Sequence, residues 1–170
     1  VYLVKDKINI GFIGAGNLGR HAILGLIDSY EINVSDPMQN QEILSLGITY
    51  ISIEELCKNS DVIFLTIKPN ISEEILSKVS DYIDDKLIIS FIAGMSLKKL
   101  EKLLSSKNII RAMPSLGISN GLSPIAVCSN HGVEISSGEK ILNKLGRCME
   151  IEESKFDAFT SIFGAGPAYI

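Results

Sequence analysis

The side chains that do acid–base or nucleophilic chemistry are scattered along this chain. His21 and His131 are too far apart for a local metal motif, and Cys57, Cys128 and Cys148 show no ligand spacing. No Ser, His and Asp set and no Cys–His pair has local spacing. Glu54-Glu55 and Glu73-Glu74 stand near helix starts, where the helix dipole favours them without catalysis. Lys68, in Ile67-Lys68-Pro69, is an amine where the chain leaves a strand; a surface lysine with its turn set by Pro69 is the simpler account. One spacing does point to chemistry: Gly14-Ala15-Gly16-Asn17-Leu18-Gly19, a G-x-G-x-x-G pattern. That chemistry is binding. Gly14 permits a tight turn, Gly16 lets a pyrophosphate approach the backbone, and Gly19 lets a helix pack closely on a strand.

The pattern carries meaning only between a strand and a helix. The apolar run Ile8 to Ile13 precedes it, and Arg20 to Ser29 reads as an amphipathic helix. The helix start then offers unpaired N–H groups and a positive dipole end to phosphates. A plain βα turn that favours glycine is the alternative.

Further elements follow at short spacing. Strands are expected over Glu31 to Ser35, Ile48 to Ile51, Asp61 to Ile67, Leu87 to Phe91 and Asn108 to Met113. Helices are expected over Gln39 to Leu46, from a capping box at Ser52-Ile53-Glu54-Glu55 through Lys58, over Ile71 to Ile83, and over Leu97 to Leu104. Ile71, Ile75, Val79 and Ile83 are expected on one inward face. Strands alternating with helices imply a doubly wound, mostly parallel α/β sheet of Rossmann type. Beyond Pro114, a strand is expected over Leu122 to Ser129, a helix over Gly132 to Leu145, a short strand over Cys148 to Ile151 and a helix over Ser154 to Phe163. Pro167 to Ile170 reads as the first turn of another helix. One turn is not stable alone, so a further domain is expected to follow. The expected division is a dinucleotide-binding domain over 1–153 and the start of a connection over 154–170.

In such a sheet, ligands lie beyond the carboxyl ends of the strands. The segments placed there are Gly14 to Gly19, Ser35-Asp36-Pro37, Thr66-Ile67-Lys68-Pro69, Ile92-Ala93-Gly94 and Met113-Pro114. The cofactor-binding candidates are therefore Gly14, Ala15, Gly16, Asn17, Leu18, Ser35, Asp36, Ile67, Lys68, Pro69, Ala93, Gly94, Met113 and Pro114. No catalytic side chain and no metal ligand is assigned. Asp36 falls where an acidic residue binds the adenosine ribose 2′-hydroxyl and repels a 2′-phosphate. Alone it favours NAD over NADP; Asp-Pro also suits a plain turn and helix cap. Were Asp36 to point away, Ser35 or Arg20 could serve a 2′-phosphate.

Composition narrows the classes. The net charge of −4, with no Lys/Arg cluster, gives no footprint for nucleic acid. No apolar stretch approaches the roughly 20 residues of a membrane span. The first seven residues have no signal-peptide pattern, and three scattered cysteines suggest reduced thiols, so a cytoplasmic location is expected.

The order of five blocks adds a resemblance. They are Ile10 to Gly19, Ile67-Lys68-Pro69, Ser90-Phe91-Ile92-Ala93-Gly94-Met95-Ser96-Leu97, Arg111-Ala112-Met113-Pro114 and Gly164-Ala165-Gly166-Pro167-Ala168-Tyr169. The chain resembles the N-terminal domain of pyrroline-5-carboxylate reductases from about Ile8 to its end. The resemblance implies NADP or NAD as cofactor, a cyclic imine carboxylate as substrate, and hydride transfer completing proline synthesis. It also implies a C-terminal helical domain, absent from this chain, that completes the substrate site and makes a homo-oligomer. The fragment alone is then expected to bind cofactor and turn over little substrate. The family has Asn, Thr and Pro after its Met-Pro pair; Ser115, Leu116 and Gly117 stand here. That departure leaves room for a paralogue with another imine or a regulatory role. The 3-hydroxyacid dehydrogenases share the N-terminal fold but place a catalytic lysine where Ile170 stands.

Overall fold

The computed structural model describes residues 7–83, 86–130 and 132–165. Seven strands form one sheet in the order β2-β1-β3-β4-β5-β6-β7. They are β1 Asn9–Ile13, β2 Glu31–Ser35, β3 Val62–Leu65, β4 Leu87–Ser90, β5 Ile109–Met113, β6 Ser123–Ser129 and β7 Gly146–Glu150. The helices are α1 Asn17–Leu26, α2 Gln41–Ser45, α3 Ile53–Asn59, α4 Pro69–Val79, α5 Leu97–Leu104, α6 Ser136–Leu142 and α7 Phe156–Phe159. Strands β1 to β5 pair in parallel, β6 joins β5 antiparallel, and β7 runs parallel to β6. This is the doubly wound, mostly parallel Rossmann-type sheet.

Alternation along each strand builds two cores. Ile10 and Phe12 of β1 and Phe64 of β3 face one layer with Ala22, Ile23 and Leu26 of α1 and Ile141 of α6. Phe12 stacks on Phe64 at 4.9 Å, and Phe64 meets Phe91 edge-on at 5.3 Å. Ile13, Ile63 and Leu65 face the other layer, with Leu56 of α3, Leu76 of α4 and Leu100 of α5. Strands buried on both faces read as unbroken apolar runs, which is why β3 and β4 were legible in the sequence.

Four expectations change. Ile48 to Ile51 is not a strand: only Tyr50 bridges Val34, and Ile51 N–H donates to the Val34 carbonyl at 2.9 Å. Ser52 already caps α3 by accepting from Glu55 N–H, which leaves no length for a strand. The helix expected over Gly132 to Leu145 is confined to Ser136–Leu142. Before it, Ser129 Oγ donates to the Val133 carbonyl and Ser137 Oγ to the Glu134 carbonyl, and such local bonds compete with helix. The segment after Ser154 is not one α-helix. A 3₁₀ turn over Glu153–Lys155 leads into α7, and a wider π turn starts at Thr160. Thr160 and Ser161 hydroxyls donate to the Phe156 and Asp157 carbonyls there, at 2.8 Å each. Finally, α4 buries Ser72, Leu76 and Val79, while Ile71 is exposed and Ile75 half-buried. The docked α4 leaves Ile71 outside the core, with Ile75 only partly packed against it. The His131 position and Gly166 to Ile170 lie outside the described residues.

Candidate functional site

The parallel strands end at one edge, and the glycine turn sits in the middle of it. Gly14 has φ +97°, a backbone conformation that L side chains rarely adopt. Its N–H donates to the Ser35 carbonyl at 2.9 Å, and its carbonyl accepts from Thr66 Oγ1 at 2.6 Å. The turn is thus tied to the ends of β2 and β3. At Gly19 an added Cβ would lie 2.7 Å from the Gly14 carbonyl oxygen and 2.8 Å from Thr66 Oγ1. At Gly16 it would meet nothing within 4 Å. Gly19 is small because the helix packs tightly; Gly16 borders open space. It is also the residue before α1, whose first N–H groups have no partner within the helix.

That open space is a groove of about 600 Å³. Gly14, Ala15, Gly16, Asn17, Ser35, Asp36, Ile67 and Lys68 line it, eight of the fourteen positions singled out in the sequence. Leu18, Pro69, Ala93, Gly94, Met113 and Pro114 do not. Leu18, in the first turn of α1, is turned partly into the core. Pro69 follows the groove-lining Lys68 as the first residue of α4. Ala93 and Gly94 lie exposed past β4, and Met113 is buried at the end of β5. Both sites share the groove's edge, but β5 stands three strands from β1, roughly 14 Å away at the usual strand spacing. Lys68 is exposed and precedes α4.

Sequence reasoning missed much of the wall. Pro37, Met38, Gln39 and Asn40 form it past β2, and Ile53, Ile71 and Ile75 form it from α3 and α4. The two isoleucines of α4 are therefore the groove's apolar side. Their periodicity in sequence matches a core stripe, so it gave no signal for the groove.

Asp36 caps a turn at the groove's edge. Its Oδ2 accepts from Ala15 N–H and its Oδ1 from Met38 N–H, each at 2.7 Å. Arg20 also lines the groove and is ion-paired with Glu42 of α2.

The loop after β5 is knit to itself. Ser115 N–H donates to Ser123 Oγ at 2.8 Å, and Ser115 Oγ stands 3.2 Å from Ser123 Oγ and accepts from Gly117 N–H at 3.4 Å. Behind β5, buried Arg111 donates to Glu153 at 2.7 Å and lies 4.5 Å over the Phe156 ring. Glu153 also accepts from Leu97 N–H at 2.6 Å, at the start of α5. Burial pushes the Cys57, Cys128 and Cys148 thiols up to about 11. Such thiols are poor nucleophiles. Among the described residues, no three His, Cys, Asp or Glu side chains cluster as metal ligands, and no helix is long and apolar enough to cross a membrane.

The family described as "NADP oxidoreductase coenzyme F420-dependent" matches residues 9–94. The pyrroline-5-carboxylate reductase of Aquifex aeolicus is 35% identical over 96% of this chain and 64% of its own length. The chain belongs to the pyrroline-5-carboxylate reductase family. The pea (Pisum sativum) member is 28% identical over 99% of the chain and 66% of its own length. The crystal structure of Plasmodium falciparum pyrroline carboxylate reductase with NADP bound superposes with a TM-score of 0.86 at 30% identity, over 95% of this chain and 64% of that one. An imine reductase from Myxococcus stipitatus, 18% identical with a TM-score of 0.74, shares the fold. The chain spans about two thirds of the length of these family members.

Proposed function

We propose that this chain is the cofactor-binding part of an enzyme that reduces 1-pyrroline-5-carboxylate to L-proline with NADPH or NADH. The observation that carries it is the Gly16 opening beside the α1 start, at the foot of a groove sized for part of a dinucleotide. Gly14 to Leu18 would hold the pyrophosphate, and Ser35 and Asp36 the adenosine ribose. Ile67, Lys68 and Pro69 would border the middle of the cofactor. Ala93, Gly94, Met113 and Pro114 lie along the same edge, where the nicotinamide end would reach. A reduced nicotinamide supplies the hydride. The protein's share is positioning and electrostatic complementarity, because an iminium carbon is already electron-poor. That fits the absence of an assigned acid–base side chain.

The remaining assignments belong to the same proposal. Residues 1–153 form the dinucleotide-binding domain and 154–170 begin the connection to a C-terminal helical domain that makes a homo-oligomer. Three unpaired cysteines support a reducing, cytoplasmic setting. A second reading, a paralogue reducing another imine, is favoured by one observation: the Ser115 hydroxyl is occupied within its own loop. Turnover by the full-length protein decides between them. Oxidation of NADPH or NADH that depends on pyrroline-5-carboxylate supports the first reading. Turnover only with other cyclic imines supports the second, and no cofactor binding at all refutes both.

A further inference from the structure

NADP differs from NAD by one phosphate on the adenosine ribose, and the charges at the end of β2 bear on that difference. The inference rests on the reading that the groove holds a nicotinamide dinucleotide. A 2′-phosphate needs a cation free to receive it near that strand end. Among the described residues, two basic side chains line the groove, Arg20 and Lys68. Lys68 follows β3, which is two strands from β2, about 10 Å across the sheet. Arg20, on the helix after β1, has its charge paired: its Nη1 is ion-paired with Glu42, and its Nη2 is 3.5 Å from Asn17 Oδ1.

Glu42 is held in place. Asn40 caps α2, its Oδ1 accepting from Glu42 N–H at 2.9 Å and Ile43 N–H at 3.4 Å. The Asn40 N–H in turn donates to the Tyr50 hydroxyl at 3.0 Å. Asp36 is equally fixed, with one backbone N–H on each oxygen. A carboxylate oxygen accepting one bond keeps capacity for another, so Asp36 can still receive a ribose hydroxyl.

We infer that Asp36 and Glu42 together select the unphosphorylated ribose, so that this site takes NADH over NADPH. Asp36 accepts from the 2′-hydroxyl and repels a phosphate. Glu42 withholds Arg20, a groove-lining cation that a phosphate could use. A 2′-phosphate would meet an Arg20 whose charge Glu42 already neutralises, while standing against Asp36.

The test is a titration of NADH and NADPH by nicotinamide fluorescence, on the full-length protein at low salt. Wild type is compared with Glu42→Gln, Asp36→Asn and the double variant. NADH is expected to bind at least about 10-fold more tightly to wild type, the order of one lost charge-assisted contact. Glu42→Gln frees Arg20 and should shift the NADPH-to-NADH affinity ratio about 5- to 10-fold towards NADPH, with steeper salt dependence for NADPH. The double variant should reverse the preference. Tighter NADPH binding by wild type overturns the inference, as does a Glu42→Gln ratio equal to wild type. Failure of wild type to bind either cofactor refutes the proposed function itself and this inference with it. Glu42 is exposed at the surface, so its variant keeps the test decisive should Asp36→Asn fold poorly.

Discussion

Alanine at Gly16 and at Gly19 should separate a glycine kept for a ligand from one kept for packing. At Gly16, φ −65° and ψ −164° suit any residue, and the added Cβ meets nothing within 4 Å. Losing glycine at the helix cap costs about 0.5–1 kcal/mol. Stiffening the unfolded chain returns about 0.4–1 kcal/mol. The melting temperature should therefore stay within about 2 °C of wild type, at about 2–4 °C per kcal/mol for this size. At Gly19 the Cβ lies 2.7 Å from a backbone carbonyl oxygen and 2.8 Å from Thr66 Oγ1. That hydroxyl is itself bonded to the Gly14 carbonyl, so it cannot simply turn away. Overpacking of this kind costs about 1–3 kcal/mol, against up to about 1 kcal/mol of helix propensity gained. The net cost, up to about 3 kcal/mol, lowers the melting temperature by up to roughly 12 °C. Binding should divide the other way. A methyl on Gly16 holds the pyrophosphate off the backbone and removes about one hydrogen bond to a charged group, about 1.5–3 kcal/mol. Cofactor affinity should drop about 10- to 150-fold. Scanning calorimetry and fluorescence titration on both variants read the two quantities. Wild-type affinity in Gly16→Ala would refute the placement of the phosphates. A melting temperature falling as far as in Gly19→Ala would make Gly16 merely structural.

Three further outcomes follow from the ion pair behind β5 and from the thiols. Glu153→Ala strands the buried Arg111 guanidinium and the Leu97 N–H, and should cost about 1–3 kcal/mol in urea denaturation, below the range for fully buried pairs because Glu153 is partly exposed; Glu153→Gln, which can keep both hydrogen bonds, should cost less. The thiols, raised from 9.0 to about 11, should react with a disulfide reagent at pH 8 more than about 10-fold slower in the native protein than in urea. Their linkage has a definite sign. Between pH 9 and about 11 the native state holds protons that the unfolded state has released, so stability should fall as pH rises through that window, as read by melts at pH 8, 9.5 and 11.

The sequence by itself determined the sheet, the glycine turn and the family. Buried parallel strands read as near-continuous apolar runs, so β1, β3 and β4 announce themselves, and β5 does so apart from its buried Arg111. Gly14 must be glycine because of its positive φ, and such a need shows directly in residue type. Only the tertiary structure decided which neighbours share the groove. Ile71 and Ile75 fit a core stripe by periodicity alone; the docking of α4 on the sheet leaves them lining the groove, Ile75 also packing on the core. Ile48 to Ile51 has strand composition, but the Ser52 cap ends it before it can pair along β2. Asp36 was ambiguous between cap and ligand because both need the same carboxylate, and its two backbone partners lie on different segments. Glu42 carried no signal at all: its ion pair with Arg20 spans two helices, and contacts across elements have no period in the chain. The glycines reveal where a dinucleotide can approach; the charges that choose between its forms are brought together only by folding.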